Sequence, residues 1–456
     1  MNCIFICVFN NENYLKLLYL LLESIYIYGN LDKYTNILIY TSLYFKNKIV
    51  ETEFYSNKIN FIINNDYNCV ENACKSRLDI FEFDIIKTYD KILYLDTDII
   101  IQKDINDIFD LIEEDKIYVM KEGSITEDND YWGKTLFGDE INNYNDKSAF
   151  SSGILLFNNC ESIRTLFKNI KDDMIQRKQY FATHDQPYIV YNSFKYNKYN
   201  NDKLNNYAIY LNSSNLNIDK TICHFCGGPG NYYHKFIKMT EYLNSLNDNK
   251  IIRCINETLY FINDKLIPII NGINEDVEGN IFMLHNSNTF TNRFINKVKN
   301  LVLLSINNNI NNVMEIGFNS GFSTLLMLIS NPNINIDCFD IGEHKYTIPC
   351  YNKIKEIFKD RINLTIGDSR ESLKNINKTY DLIHIDGGHT DDVATSDINN
   401  SYRLAKEGTI IIMDDYDFSN LSKIWDYHIN LYNLQKMNKF IYECKFHDIR
   451  YVPYKK

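Results

Sequence analysis

The chain has 456 residues, 45% hydrophobic and 23% charged, enough for two folded domains with the balance of a globular protein. Its formal net charge of −11 sets aside sequence-independent nucleic-acid binding, which relies on Lys and Arg against phosphates. The eleven Cys keep no disulfide-framework spacing, no leader pattern opens the chain, and the apolar stretch 14–28 is broken by Lys16 and Glu23, so a cytoplasmic protein without a membrane span is expected.

In chain order, Ile4–Phe9 predicts a short strand and Tyr14–Tyr28 a buried amphipathic helix. Asn36–Thr41 and Ile59–Ile63 predict strands, Ser76–Lys87 a helix, and Lys91–Leu95 a strand that ends at an acidic pair. Strands and helices alternating at this spacing predict a parallel α/β sheet over residues 1–244. Residues 245–280 are polar and irregular and read as a linker, with a helical stretch near Phe290–Ser305 leading onward. A second domain, 281–456, repeats the alternation. Its strands are expected at Val313–Ile316, Ile334–Phe339, Ile362–Ile366, Leu382–Ile385 and Thr409–Met413, and Phe440–Lys445 with Ile449–Pro453 reads as a closing antiparallel pair.

Asp96 and Asp98 flank Thr97 at the carboxyl end of a strand, where open α/β sheets bind ligands. Alternation sends both carboxylates to one side, where they repel unless a cation joins them. Hard oxygen ligands suit Mg²⁺ or Mn²⁺, and such an ion can bridge to a diphosphate leaving group. An isolated Asp-x-Asp more often marks solvated loop acids, so the surrounding segments decide. Lys91–Ile100 resembles the glycogenin-like family of retaining glycosyltransferases with the GT-A fold, and further segments follow in family order across residues 1–244.

That resemblance implies a UDP-sugar donor held by Phe9, Asn11 and Tyr14 around the uridine. It implies Arg77 on the sugar nucleotide, and Asp96, Thr97 and Asp98 at the metal and diphosphate. It places Ser151 and Ser152 along the donor-sugar pocket, and makes Asp185 and Gln186 the acceptor-side pair. His224 becomes the third metal ligand, which favours Mn²⁺. Gly227 opens a turn, and Lys235, or Lys238, takes the phosphate. The chain departs from the family pattern at Ser151, where Asn is frequent, and at Ala182, where a second Asp can stand. The Gly-rich turn before Lys235 is a third departure, and its amides could share the phosphate. Cys223 and Cys226 form a CxxC without the second pair that a zinc ribbon needs.

In the second domain, Glu315-Ile316-Gly317-Phe318-Asn319-Ser320-Gly321 follows a strand and opens a helix, a place for a polar or anionic ligand. Asp340 ends the next strand, suited to a ribose, and a dinucleotide site would share this spacing. Glu315 ahead of the first Gly, the Gly-x-x-x-Gly loop and Asp368 after the third strand favour S-adenosylmethionine. Residues 311–453 resemble class I methyltransferases of the small-molecule and sugar O-methyltransferase kind, a Rossmann-like seven-stranded fold. The resemblance implies cofactor contacts at Glu315, Gly317, Asn319, Ser320, Gly321, Asp340, Asp368 and Asp386. It also implies a second Mg²⁺ on Asp386, Asp414 and Asp415, with His389 as a base. The expected protein is therefore bifunctional: it adds a sugar and O-methylates a sugar on a glycan or glycosylated acceptor. An alternative keeps the first activity alone, with the C-terminal domain an inactive or acceptor-binding module. A homodimer stays open.

Overall fold

The computed structural model describes residues 1–52, 54–211, 219–226, 232–283, 290–437 and 441–454. It divides into two compact units, Met1–Ser245 and Leu246–Lys456. Among the described residues, no helix is long and apolar enough to cross a membrane.

The first unit is built on β1 (Asn2–Val8), β2 (Thr35–Thr41), β3 (Ile59–Ile63), β4 (Lys91–Leu95), β5 (Ile99–Ile101), β6 (Ile117–Ser124), β7 (Ser148–Asn158), β8 (Tyr199–Asn200), β9 (Ala208–Tyr210) and β10 (Ile222–His224). A seven-stranded sheet runs β3-β2-β1-β4-β7-β6-β8, and β5-β10-β9 make a second sheet. β1, β2, β3 and β4 are parallel and β7 is antiparallel to β4, so the sheet is mixed. β1 and β4 read as near-continuous apolar runs because helices cover both faces. The chain leaves the large sheet after Leu95 and enters the small one at Ile99, so Asp96-Thr97-Asp98 spans the change of sheet. The helix expected over Ser76–Lys87 is shorter-lived: Val70–Lys75 is α-helical, and 3-10 turns at Ser76–Glu82 and Asp84–Thr88 follow. Extended backbone at Phe83 separates those two turns.

The second unit carries β11 (Asn312–Ile316), β12 (Asn335–Asp340), β13 (Ile362–Ile366), β14 (Tyr380–Ile385), β15 (Ala405–Asp414), β16 (Gln435–Lys436) and β17 (His447–Tyr451) in the order β13-β12-β11-β14-β15-β17-β16. The first five of that order are parallel, and β17 returns antiparallel to β15. This is the seven-stranded doubly wound sheet expected, with the carboxyl ends of β11, β12 and β14 along one edge.

Two expectations need correcting. The stretch 245–280 is largely helical: the helix Tyr232–Phe261 continues through it, followed by a π-helical turn Ile262–Leu266 and the helix Ile267–Ile273. Ile251, Cys254, Thr258, Ile262, Leu266 and Ile270 are all buried, a stripe at three- and four-residue spacing that the surrounding Asn and Lys obscure. The strand expected at Phe440–Lys445 does not form among the described residues 441–445. The Asn300 side chain donates to the Tyr442 carbonyl at 2.9 Å and accepts from its N–H at 2.6 Å, taking both groups a sheet neighbour would use. The short β16 pairs with β17 instead.

Candidate active sites

At the first site, β5 pairs antiparallel with β10 so that His224 lies opposite Ile99, and the Phe225 N–H donates to the Asp98 carbonyl at 2.8 Å. This register brings a residue 126 positions further on beside Asp98, and one ligand atom from each of Asp96, Asp98 and His224 lies within 4.8 Å of the others. The strand behind them holds Gly153, where a Cβ would stand 2.5 Å from His224 Cε1 and 3.0 Å from Asp96 Oδ2. Only glycine leaves room for the imidazole.

Asp98 Oδ1 faces His224 Nε2 at 3.3 Å, and Asp98 Oδ2 takes the Lys235 ammonium. Asp96 Oδ1 accepts from the Tyr94 hydroxyl and from Arg77 Nη1 at 3.4 Å. Burial alone would raise the Asp98 carboxyl, but His224 and Lys235 hold it well below the usual carboxylate range. Burial disfavours a charged His224, yet Asp98 and Asp96 outweigh it and raise its pKa. Asp98 Oδ1, Asp96 Oδ2 and His224 Nε2 form a mixed oxygen–nitrogen donor set that fits a divalent cation.

Around this centre, Arg77 Nη1 donates to the Ser152 carbonyl at 2.6 Å and its Nε lies 3.0 Å from Asp185 Oδ2. Asp185 is fully buried; burial pushes its carboxyl up to about 6, against the pull of Arg77. It therefore anchors Arg77 while its own side chain is closed off. Gln186 accepts from the Ser152 N–H at 3.0 Å and donates to the Tyr131 carbonyl at 3.3 Å. Ser151 Oγ accepts from Gly153 N–H at 3.2 Å, and Thr97 is buried. Asn11 caps the helix Glu12–Tyr28 by accepting from Asn13 N–H, Phe9 packs edge-on against Tyr40 and Tyr67, and the Tyr14 ring meets Tyr232. Gly227 and its turn, 227–231, lie outside the described residues. Cys223 and Cys226 both have thiols that burial pushes up to about 11, unlike a metal-binding or redox pair.

At the second site a cavity of about 830 Å³ opens at the sheet edge. Gly317, Asn319, Asp340, Asp368, Asp386 and His389 line it. Gly317 has φ +93°, and a Cβ there would stand 1.8 Å from the Asp386 carbonyl oxygen, so the loop and the end of β14 touch backbone to backbone. Asp340 Oδ2 accepts from Asn319 N–H and its Oδ1 from Gly342 N–H, both at 2.7 Å. Asp368 caps the turn Ser369–Ser372 and pairs with Arg370.

Three expected cofactor contacts do not reach the cavity. Glu315 is 0% exposed: its Oε1 meets His384 Nδ1 at 3.0 Å and its Oε2 accepts from the Thr324 hydroxyl. Ser320 and Gly321 are turned into the loop, and a Cβ at Gly321 would clash with the Phe318 ring. These residues shape the loop from beneath; a ligand ammonium has no access to Glu315.

The expected metal set also changes. His384, Asp386 and Asp414 have ligand atoms within 4.8 Å of one another, whereas the Asp415 carboxylate turns to His389 Nε2 at 2.9 Å. His384 Nε2 lies 3.3 Å from Asp414 Oδ2, so its two nitrogens face Glu315 and Asp414. Burial works against a charged ring there, but the two carboxylates raise its pKa to about 10. A doubly donating imidazolium has no lone pair for a metal. Lys297, 5% exposed, places Nζ 2.5 Å from the same Asp414 oxygen, while Asp414 Oδ1 accepts from Asp415 N–H. This donor set does not fit a divalent cation.

Residues 11–229 match the glycosyl transferase family 8, and residues 314–416 match a methyltransferase domain family. The chain joins a family 8 glycosyl transferase domain to a methyltransferase domain. Solved structures similar to part of it include an O-methyltransferase segment of StiE, at 20% identity and TM-score 0.25, covering 31% of this chain and 51% of that one. This chain thus spans about half the length of that segment. CalS11, a TDP-rhamnose 3′-O-methyltransferase of calicheamicin biosynthesis, aligns at 14% identity and TM-score 0.29 over 35% of this chain and 81% of its own. An SAH-bound methyltransferase from Podospora anserina, PaMTH1, aligns at 13% and TM-score 0.29 over 36% and 80%. No curated protein matches.

Two residues of these domains escaped the sequence reading. In the glycosyl transferase domain, Glu122 reaches the surroundings of His224 and Tyr210, and burial raises its carboxyl. In the methyltransferase domain, Lys297 sits on the helix Ile295–Ser305 and shows no local signal, because its partners Asp414 and Asp415 are more than a hundred residues away.

Proposed function

We propose that the first unit transfers a sugar from a UDP-sugar with retention of configuration and that the second O-methylates a sugar hydroxyl from S-adenosylmethionine. The observation that carries the first half is the convergence of Asp96, Asp98 and His224 over Gly153, with Lys235 on the outer oxygen of Asp98. A bound Mn²⁺, or Mg²⁺, would neutralise charge on the departing nucleoside diphosphate. Lys235 is placed to exchange its bond to Asp98 for one to a diphosphate oxygen. Arg77, fixed by Asp185 and the Ser152 carbonyl, holds its guanidinium at the donor, and Gln186 lines the face from which an acceptor would approach.

In the second unit, the acceptor hydroxyl would attack the methyl carbon as the C–S bond breaks. Bound S-adenosylmethionine would supply the electrophilic methyl group and retain the bonding pair on its sulfur, while His389, oriented by Asp415, would take the hydroxyl proton. Because both sites belong to one chain, a glycan released by one would meet the other at raised effective concentration. Asp98→Ala and Asp386→Ala, assayed separately for UDP-sugar turnover and for methyl transfer, test the reading. Each should lose one transfer and keep the other; loss of both with either change would refute two independent sites.

A further inference from the structure

Resting on the methyl-transfer reading of the second unit, we infer that this site carries its own cation, the Lys297 ammonium, in the place a divalent metal would take, so that methyl transfer proceeds without one.

The oxygens that would ligate a metal here are already occupied. Four carboxylates meet at the end of β14 and β15: Glu315, Asp386, Asp414 and Asp415. Uncompensated, such a group is untenable in a buried site. Two side chains of the protein itself answer it. His384 is clamped between Glu315 and Asp414, and Lys297 reaches in from the helix Ile295–Ser305 to lie 2.5 Å from Asp414 Oδ2 and 4.0 Å from Asp415 Oδ1. Asp414 has one oxygen shared by Lys297 and His384 and the other bonded to the Asp415 N–H. A metal entering here would have to evict the Lys297 ammonium from Asp414 and turn aside a His384 ring whose two nitrogens already face Glu315 and Asp414.

Lys297 also lines the cavity beside Gly317, Asp386 and His389, so its charge faces the volume in which acceptor and cofactor meet. It lies over the Phe294 ring at 5.6 Å, which further fixes the long side chain. An ammonium at that place lowers the energy of negative charge building on the acceptor oxygen as the methyl group is taken. It would do so with three rotatable donors and no water ligands to strip. The proton itself still goes to His389.

The test uses the full chain with Asp96→Ala and Asp98→Ala together, which removes two of the three donors of the glycosyl transfer site. Mn²⁺ is titrated into this variant with S-adenosylhomocysteine present, and free Mn²⁺ is followed by electron paramagnetic resonance. The expected result is a free-ion signal equal to that of buffer, or residual binding that Asp386→Asn leaves unchanged. One Mn²⁺ per chain that is lost with Asp386→Asn overturns the inference. A second arm follows methyl transfer by the unaltered chain onto a panel of sugar hydroxyl acceptors, which should keep its rate in EDTA. Abolition by EDTA with recovery on Mg²⁺ overturns the inference without any variant. Lys297→Gln should lower kcat about 100-fold at unchanged KM for S-adenosylmethionine, with partial recovery in Lys297→Arg. An equal rate in Lys297→Gln also overturns it. If S-adenosylhomocysteine leaves the melting temperature unmoved, the methyl-transfer reading itself fails, a result that the Mn²⁺ count does not touch.

Discussion

Gly153→Ala is the most direct test of the first metal site, because the substitution adds one methyl group to a place the geometry has already filled. Gly153 lies in β7, hydrogen-bonded between β4 and β6, and its carbonyl accepts from the Asp96 N–H at 2.9 Å. The strand therefore cannot swing away. A Cβ would stand 2.5 Å from His224 Cε1 and 3.0 Å from both Asp96 Oδ2 and His224 Nε2, whereas ordinary contact begins at 3.4 Å. The imidazole must retreat by roughly 0.9 Å, and metal–ligand distances tolerate about 0.2 Å. Displacement of His224 also takes a compensating partner away from Asp98. Changes to supporting residues alone cost about 10–100-fold in metal affinity, so a lost direct ligand should cost at least about 100-fold, or about 2.7 kcal/mol. Overpacking should take about 1–3 kcal/mol from the stability of the unit, a fall of about 2–10 °C in its melting temperature. Mn²⁺ titration by paramagnetic resonance gives the affinity, and circular dichroism gives the melt. Gly272→Ala is the matched control, since a Cβ there meets nothing within 4 Å. If the Gly153→Ala protein binds Mn²⁺ within about threefold of the parent, the assignment of His224 as a ligand is wrong.

Gly317→Ala places a Cβ 1.8 Å from the Asp386 carbonyl at a φ of +93°, so both strain and backbone overlap oppose it. The thermal shift produced by S-adenosylhomocysteine should disappear, while UDP-sugar turnover persists in protein that remains folded. Asp397 is buried beside Gly387, and burial pushes its carboxyl up to about 6, above about 3.9 for an unfolded chain. The unfolded state therefore loses its proton first, so the protonated carboxyl favours the native state at low pH. That contribution declines as pH rises from about 4 through about 6, by about 3 kcal/mol in all. Asp397→Asn should flatten this slope in urea melts taken across the window; an unchanged slope would assign the pH dependence elsewhere. His224 has its pKa raised by Asp98, and only the neutral ring can bind a metal. Mn²⁺ affinity should thus fall about tenfold per pH unit below that pKa, and a flat profile between pH 5 and about 8 would exclude His224.

The parts of this molecule that were legible in its sequence are those with a short period or a strand end. β1, β3, β4 and β13 coincide with their apolar runs to within two residues, and Asp96, Asp340 and Asp386 all stand at carboxyl ends of strands. His224 was reachable only through resemblance, because the register of β10 on β5 has no local mark. Illegibility had two physical sources. One is dilution: in a chain rich in Asn and Lys, the buried stripe from Ile251 to Ile270 is masked by polar neighbours, so a helix read as a linker. The other is long-range bonding that overrides local preference. Asn300 consumes the backbone groups of Tyr442, and the Glu315 carboxylate is spent on His384, 69 residues away, before any ligand could claim it.

The two sites each hold a lysine against an aspartate, and the difference between them decides where a metal belongs. Lys235 takes only the outer oxygen of Asp98; the inner oxygen lies toward His224, and Asp96, Asp98 and His224 converge. A cation can enter there while Lys235 turns to the diphosphate that arrives with it, and the positive charges are then shared by a ligand that needs both. Lys297 has no such exchange partner. The methyl donor proposed for this unit is itself a sulfonium cation. A doubly charged ion beside it would repel the very group being delivered, at an energy that grows as the site excludes water. One ammonium, already neutralised in part by Asp414, offers the acceptor oxygen a positive charge with less cost to the sulfonium. The same pairing of lysine with aspartate thus holds a place for an incoming anion in one unit and serves as the fixed charge in the other.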